Sequence, residues 1–88
     1  MNYLLCKHKV TNYGKWRRVF NTGAKELRKA GLRPLHIFRD VDDPKVIVLL
    51  FAASDLKKAR AFTEAPDADD YIERSGIVGD AEIAFLRE

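Results

Sequence analysis

Eighty-eight residues with 47% hydrophobic and 33% charged side chains make a single domain, residues 1–88, and exclude a disordered or low-complexity chain. A chain this short buries only roughly 60–65% of its extended surface, so association with a further copy is a common source of stability. The net charge of +3 is uneven, residues 1–44 carrying +6 and residues 45–88 carrying −3, which reads as helix surfaces of opposite sign complementing one another rather than as a nucleic-acid footprint.

In chain order, Asn2–Val10 reads as a strand. Leu4, Cys6, His8 and Val10 form a mostly apolar row that should face a covering layer, while Tyr3, Leu5, Lys7 and Lys9 form a row that turns basic. Thr11 or Asn12 can cap a following helix, which the spacing of Tyr13, Trp16, Phe20, Ala24 and Leu27 carries to about Ala30. Gly31 suits the residue just past that helix, with Pro34 beyond it. Gly23 within the helix suggests a close approach to a sheet. Arg33–Asp40 is a second strand, and Val41-Asp42-Asp43-Pro44 is turn chemistry leading into a hairpin partner. That partner, Val46–Ala53, has the sequence VIVLLFAA and is apolar on both alternating rows, so it must be covered on both faces. Parity alone leaves open whether its odd or even row lies under the helices.

Ser54 is expected to cap the next helix, whose buried stripe is Leu56, Ala59 and Phe62 with Thr63 as a further candidate, and Pro66 should end it. A short segment Ala68–Ser75 follows, with Tyr71 and Ile72 facing inward and Gly76 closing it. Ile77–Asp80 reads as a connecting loop and Ala81–Arg87 as the last strand. The order strand, helix, strand, strand, helix, strand predicts an α+β ferredoxin-like βαββαβ fold, with a four-stranded antiparallel sheet and both helices on one face. The other face would be apolar and bare, and a homodimer closed sheet to sheet is the simplest cover.

The chain resembles the dimeric α/β-barrel proteins related to antibiotic-biosynthesis monooxygenases. The resemblance spans the whole chain and rests on HKVTNYGKWRRVF (8–20), HIFRDVDDPKVIVLL (36–50), SDLKKARAF (54–62) and the ending GIVGDAEIAFLRE. These segments resemble a subgroup of small bacterial proteins called uncharacterised or cyclase-like. It implies a dimeric α/β barrel with a ligand cavity between helices and sheet. The superfamily hosts cofactor-independent monooxygenases, haem-degrading enzymes, muconolactone-isomerase-like enzymes and stress-response barrels, so the fold does not select one reaction.

His8 and His36 are the two histidines. His8, on the row facing the helices, is the candidate acid or base in such a cavity; the alternative is a core-edge histidine bonded to backbone. Arg39, with Lys7 and Lys9 nearby, is the candidate anion partner, or else pairs with acidic residues across a dimer. Trp16, His36, Phe62 and Tyr71 are the candidate substrate-binding residues, Tyr13 and Phe20 extending the aromatic set; aromatics at this spacing serve equally as core.

Two histidines and one cysteine without close ligand spacing argue against a metal site, and no cofactor is expected. Haem cleavage of the helix-histidine type is disfavoured because neither predicted helix carries a histidine. Asp40, Asp42 and Asp43, and Asp67, Asp69 and Asp70, read as turn and cap residues rather than calcium loops. The third strand lacks the aromatic and basic-glycine signature of RNA-recognition modules, so nucleic acid is not an expected partner. Cys6 cannot form an internal disulfide, MNYLLCKHKV does not read as a signal peptide, and no membrane anchor is evident. The expected location is the cytoplasm. The expected activity is that of a cofactor-independent monooxygenase or cyclase-like enzyme on an aromatic or polyketide-like substrate, the alternative being a non-catalytic ligand-binding or stress-related homodimer.

Overall fold

A computed structural model describes residues 1–64 and 73–88. It contains β1 (Asn2–Val10), α1 (Tyr13–Thr22), α2 (Ala24–Lys29), β2 (Leu32–Arg39), β3 (Val46–Ala53), α3 (Leu56–Thr63) and β4 (Ile77–Arg87). The four strands form one antiparallel sheet in the order β2-β3-β1-β4. This is the expected ferredoxin-like arrangement.

Register decides which side of β3 meets the helices. Leu4, Cys6 and His8 of β1 lie opposite Phe51, Leu49 and Ile47. Those three β3 residues are buried, while Val46, Val48 and Leu50 are only half-buried. The odd row of β3 therefore packs with Trp16, Phe20, Leu27 and Ala59 from the helices. The even row, with Leu5, Phe38, Ala84 and Leu86 on its neighbours, forms the helix-free face. Phe38 and Leu86 on that face are 51% and 43% exposed.

Asn12 is the cap of α1, its Oδ1 accepting the Lys15 N–H at 3.0 Å. The expected single helix to Ala30 is instead two, broken at Gly23. Gly23 leaves helical geometry (φ −90°, ψ 6°), and its N–H turns back to the Phe20 carbonyl at 3.0 Å. A glycine in a helix interior costs about 1 kcal/mol relative to alanine, which favours a break there. The atoms nearest a Cβ at Gly23 would be backbone carbonyls of α1, so the residue does not serve a close approach to the sheet. The apolar stripe survives the break because Trp16 and Phe20 before it and Leu27 and Ala30 after it are all buried.

Gly31 terminates α2 with φ +72°, and its carbonyl accepts both the Ser54 N–H at 2.9 Å and the Ser54 hydroxyl at 3.1 Å. Ser54 is thereby drawn away from capping, and Asp55 caps α3 instead, its Oδ1 accepting the Lys58 N–H at 3.1 Å. Along α3 the inward stripe runs through Leu56, Ala59 and Thr63, and Phe62 falls at its margin, 37% exposed. A turn of 100° per residue places Thr63 nearer the Leu56–Ala59 line than Phe62.

Two strand irregularities shape the sheet. Pro34 pairs with Phe51 but His36 with Leu50, so Leu35 is an extra residue on β2. The step from Lys7 to Lys9 on β1 matches the step from Glu82 to Val78 on β4. The expected loop Ile77–Asp80 is therefore strand, with Gly79 at φ +73° absorbing the bulge. Asp40 organises the β2–β3 turn, its Oδ2 accepting the N–H groups of Asp42 and Asp43 at 3.0 and 2.9 Å. The second acidic run, with Asp67, Asp69 and Asp70, lies outside the described residues, as do Pro66, Tyr71 and Ile72. Among the described residues no helix is long and apolar enough to cross a membrane.

Candidate functional site

His8 and Arg39 share a neighbour. His8 of β1 and Arg39 of β2 each lie opposite Ile47 of the intervening β3, so all three stand in one lateral row on the helix-bearing side. Two strand spacings separate the outer pair, about 10 Å between backbones. Helix α1 presents Tyr13 and Trp16 over this row, because residues three apart share a helix face. The Trp16 ring centroid is 5.7 Å from His8, 5.8 Å from Tyr13 and 5.1 Å from Phe20. The Arg39 guanidinium lies 4.1 Å from the Tyr13 ring centroid, and its Nε donates to the Pro44 carbonyl at 2.9 Å. A continuous path of rings thus links an exposed, oriented cation to a buried imidazole.

Trp16 is fully buried and His8 is 7% exposed. Trp16 Nε1 and His8 Nε2 have no hydrogen-bond partner among the described residues. Burial lowers the His8 pKa below its ordinary 6.5, so the imidazole is neutral at pH 7 and has a lone pair to accept a proton. A neutral base and a fixed cation on one row can remove a proton and stabilise the resulting anion.

The lowered His8 pKa carries a stability consequence. The unfolded chain binds a proton at His8 more readily than the folded chain, so stability rises with pH across this titration. It is at full strength above about 6.5 and is lost as the pH falls through the lowered folded value. Urea midpoints should therefore drop between pH 7.5 and 5, and His8→Gln should flatten that drop. An unchanged drop in the variant would assign it to other groups.

The remaining candidates separate. His36 does not join the cluster: the Leu35 bulge and pairing with Leu50 turn it to the helix-free side, where it stacks on Phe38 at 5.1 Å. Phe62 is removed by the turn of α3 described above. Tyr71 lies outside the described residues. Lys7 and Lys9 occupy the helix-free row, and Lys9 Nζ pairs with Asp43 at 3.1 Å; the cations beside the rings are Arg39, over Tyr13, and Arg17, 6.0 Å from the Phe20 centroid. Burial pushes the Cys6 thiol pKa up to about 11, leaving it an unreactive packing group at neutral pH. Among the described residues no cluster of three His, Cys, Asp or Glu side chains could hold a metal ion.

Two shallow depressions, of about 440 and 420 Å³, lie elsewhere. The first is lined by Arg28, Gly31, Leu32, Ala52 and Ser54, and the second by Arg17, Pro34 and His36. Neither is lined by His8 or Trp16, which pack beside Leu4, Val10 and Ile47. Sequence reading nominated His8, Trp16 and Arg39. It missed the stacking of Arg39 on Tyr13, for which the only signal was the spacing of Tyr13 and Trp16, and it missed the unpartnered nitrogens.

Comparison with solved structures places this architecture. A Bordetella bronchiseptica protein provisionally named an antibiotic biosynthesis monooxygenase superposes with a TM-score of 0.79 at 9% identity, over 99% of this chain and 95% of that one. The chain shares the ferredoxin-like fold of that protein. Proteins given the same provisional name from Nitrosomonas europaea and Caulobacter crescentus superpose with TM-scores of 0.68 and 0.72 at 17% and 13% identity. The first match covers 100% of this chain and 98% of that one, the second 97% and 86%. No protein-family model and no curated protein sequence matches the chain.

Proposed function

We propose that this protein is a small-molecule enzyme of the cofactor-independent monooxygenase or cyclase-like type, acting in the cytoplasm on an aromatic or polyketide-like substrate. The observation that carries this reading is the imidazole of His8, buried against Trp16 with no partner for Nε2 among the described residues, in one row with the oriented cation of Arg39. His8 removes a proton from an activated carbon or hydroxyl, and Arg39 stabilises the developing anion. In the oxygenase version the anion passes an electron to O2 and the radicals recombine. A CH2 group with O2 then becomes a carbonyl with release of water. The provisional names of the similar structures support the oxygenase version.

Oxygen uptake with anthrone as probe tests it. Loss of the base in His8→Ala should lower the rate by roughly 10²–10⁴. A variant that turns over at full rate removes His8 as base. The second reading, a non-catalytic ligand-binding dimer, is favoured by the absence of His8 and Trp16 from both depressions. Saturable anthrone binding without oxygen uptake would select it.

The working unit in both readings is a homodimer closed through the helix-free face. Support comes from exposed Phe38 and Leu86 beside half-buried Leu5, Val48 and Leu50 on one continuous surface. Sedimentation at micromolar concentration should give a dimer, and Leu50→Lys, which buries an ammonium at the centre of that face, should give a folded monomer. A monomeric parent protein would overturn this assembly.

A further inference from the structure

The larger depression, about 440 Å³, lies at the end of the sheet where β2 begins and β3 ends. Leu32 and Ala52, both buried, form its floor beside Gly31, and Ser54 stands at its side. The hollow comes from the small size of Gly31 and Ala52 between two long side chains, Arg28 from the last turn of α2 and Arg33 from the outer strand β2. The Gly31 carbonyl accepts both the N–H and the hydroxyl of Ser54, which ties the two sides of the hollow together. With that hydroxyl engaged, the two guanidinium groups are the strong donors of the lining.

Among the described residues no ion pair reaches Arg28 or Arg33. Carboxylates at this end of the molecule have other partners. Glu26 pairs with Lys29 at 4.0 Å, Asp55 accepts the Lys58 N–H at 3.1 Å, and Glu88 accepts the Tyr3 hydroxyl at 3.0 Å. None of the three lines the depression. Two unpaired cations over a shared apolar hollow complement a ligand of matching halves, an anionic head on an apolar body.

We infer that this depression binds a medium-chain aliphatic acid, its carboxylate held by Arg28 and Arg33 and its chain lying over Leu32 and Ala52. A guanidinium presents paired donors in the geometry of a carboxylate, and a charge-assisted contact of that kind is about twice as strong as a neutral one. No aromatic ring lines the hollow, so a flat ligand has nothing to stack on and an aliphatic chain fits better. The volume falls within the roughly 300–1,000 Å³ of small-molecule sites. The site is separate from the His8 row. Ile47, which stands in that row, and Ala52 are five residues apart on β3, roughly 16 Å. The inference therefore does not depend on the reading of His8 as base.

Octanoate, octan-1-ol and acetate are the probes, titrated into the intact protein and followed through its backbone amide resonances. We expect octanoate to bind saturably and to move the amides of Gly31, Leu32, Ala52 and Ser54. Octan-1-ol has the chain without the charge and should bind roughly tenfold more weakly. Acetate has the head without the chain and should not saturate over the same range. Arg28→Gln combined with Arg33→Gln alters two exposed positions. It should bring octanoate down to the affinity of octan-1-ol and leave octan-1-ol unchanged. Equal affinity of the two eight-carbon probes in the parent protein overturns the site, as does saturation by acetate at octanoate concentrations or no saturable binding at all. An octanoate preference that survives in the double variant does the same. Shifts centred on Phe38 and Leu86 would place the chain on the helix-free face and also overturn it. The comparison of probes in the parent protein decides the matter even if the double variant fails to fold.

Discussion

Replacing Trp16 by alanine is expected to destabilise the fold by about 3–5 kcal/mol. The indole is fully buried and contacts the rings of His8, Tyr13 and Phe20. With Phe20, whose ring lies 6.3 Å from that of Phe51, it joins α1 to the centre of the sheet. A small domain has a total stability of only about 5–15 kcal/mol, so the variant should be partly unfolded at body temperature. Urea denaturation followed by far-UV circular dichroism gives the value without needing the lost fluorophore. A midpoint indistinguishable from the parent would mean that the cluster is not the keystone of the helix layer.

Gly31→Val should cost about 2–3 kcal/mol, for two separable reasons. The left-handed backbone at φ +72° strains any residue with a Cβ, and a β-branched one most. The new Cβ would also stand 2.7 Å from Ser54 Oγ, at the point where the end of α2 is joined to the start of α3. Gly31→Ala separates the effects when combined with Ser54→Ala, since removing the hydroxyl relieves the contact but not the backbone strain. The double variant should therefore lose less than the sum of the two single losses. Additive losses would show that the steric contact contributes nothing.

Much of the fold is legible because its signals are local. β1 and β3 have the bounds that alternation and the uniform apolar run predict. Local signals fail where a distant contact decides. Ser54 and Asp55 are both good caps, and the choice between them is made by Gly31, far away in sequence. Gly79 and Asp80 carry turn chemistry, yet pairing with β1 holds them within β4 through a bulge. The two rows of β3 are equally apolar, so only the register that sets Ile47 against His8 settles which one faces inward. The break at Gly23 is hidden because the apolar stripe continues across it. In the site, residue chemistry marks His8, Trp16 and Arg39 individually. Their alignment depends on β3 lying between β1 and β2, and the parity of His36 depends on a one-residue bulge that composition does not reveal.

That bulge has a second effect, on what the molecule can join. β2 and β4 are the rims of the sheet. β2 carries Pro34, which has no N–H to offer, directly before its extra residue Leu35. β4 is interrupted at Gly79 and lined nearby by Asp80 and Glu82. Neither rim presents an unbroken ladder of donors and acceptors to an incoming strand, so growth by strand addition, the route to open-ended fibres, is obstructed at both ends. With strand addition obstructed at both rims, the broad apolar face is the surface left for association, and contact through it is face to face.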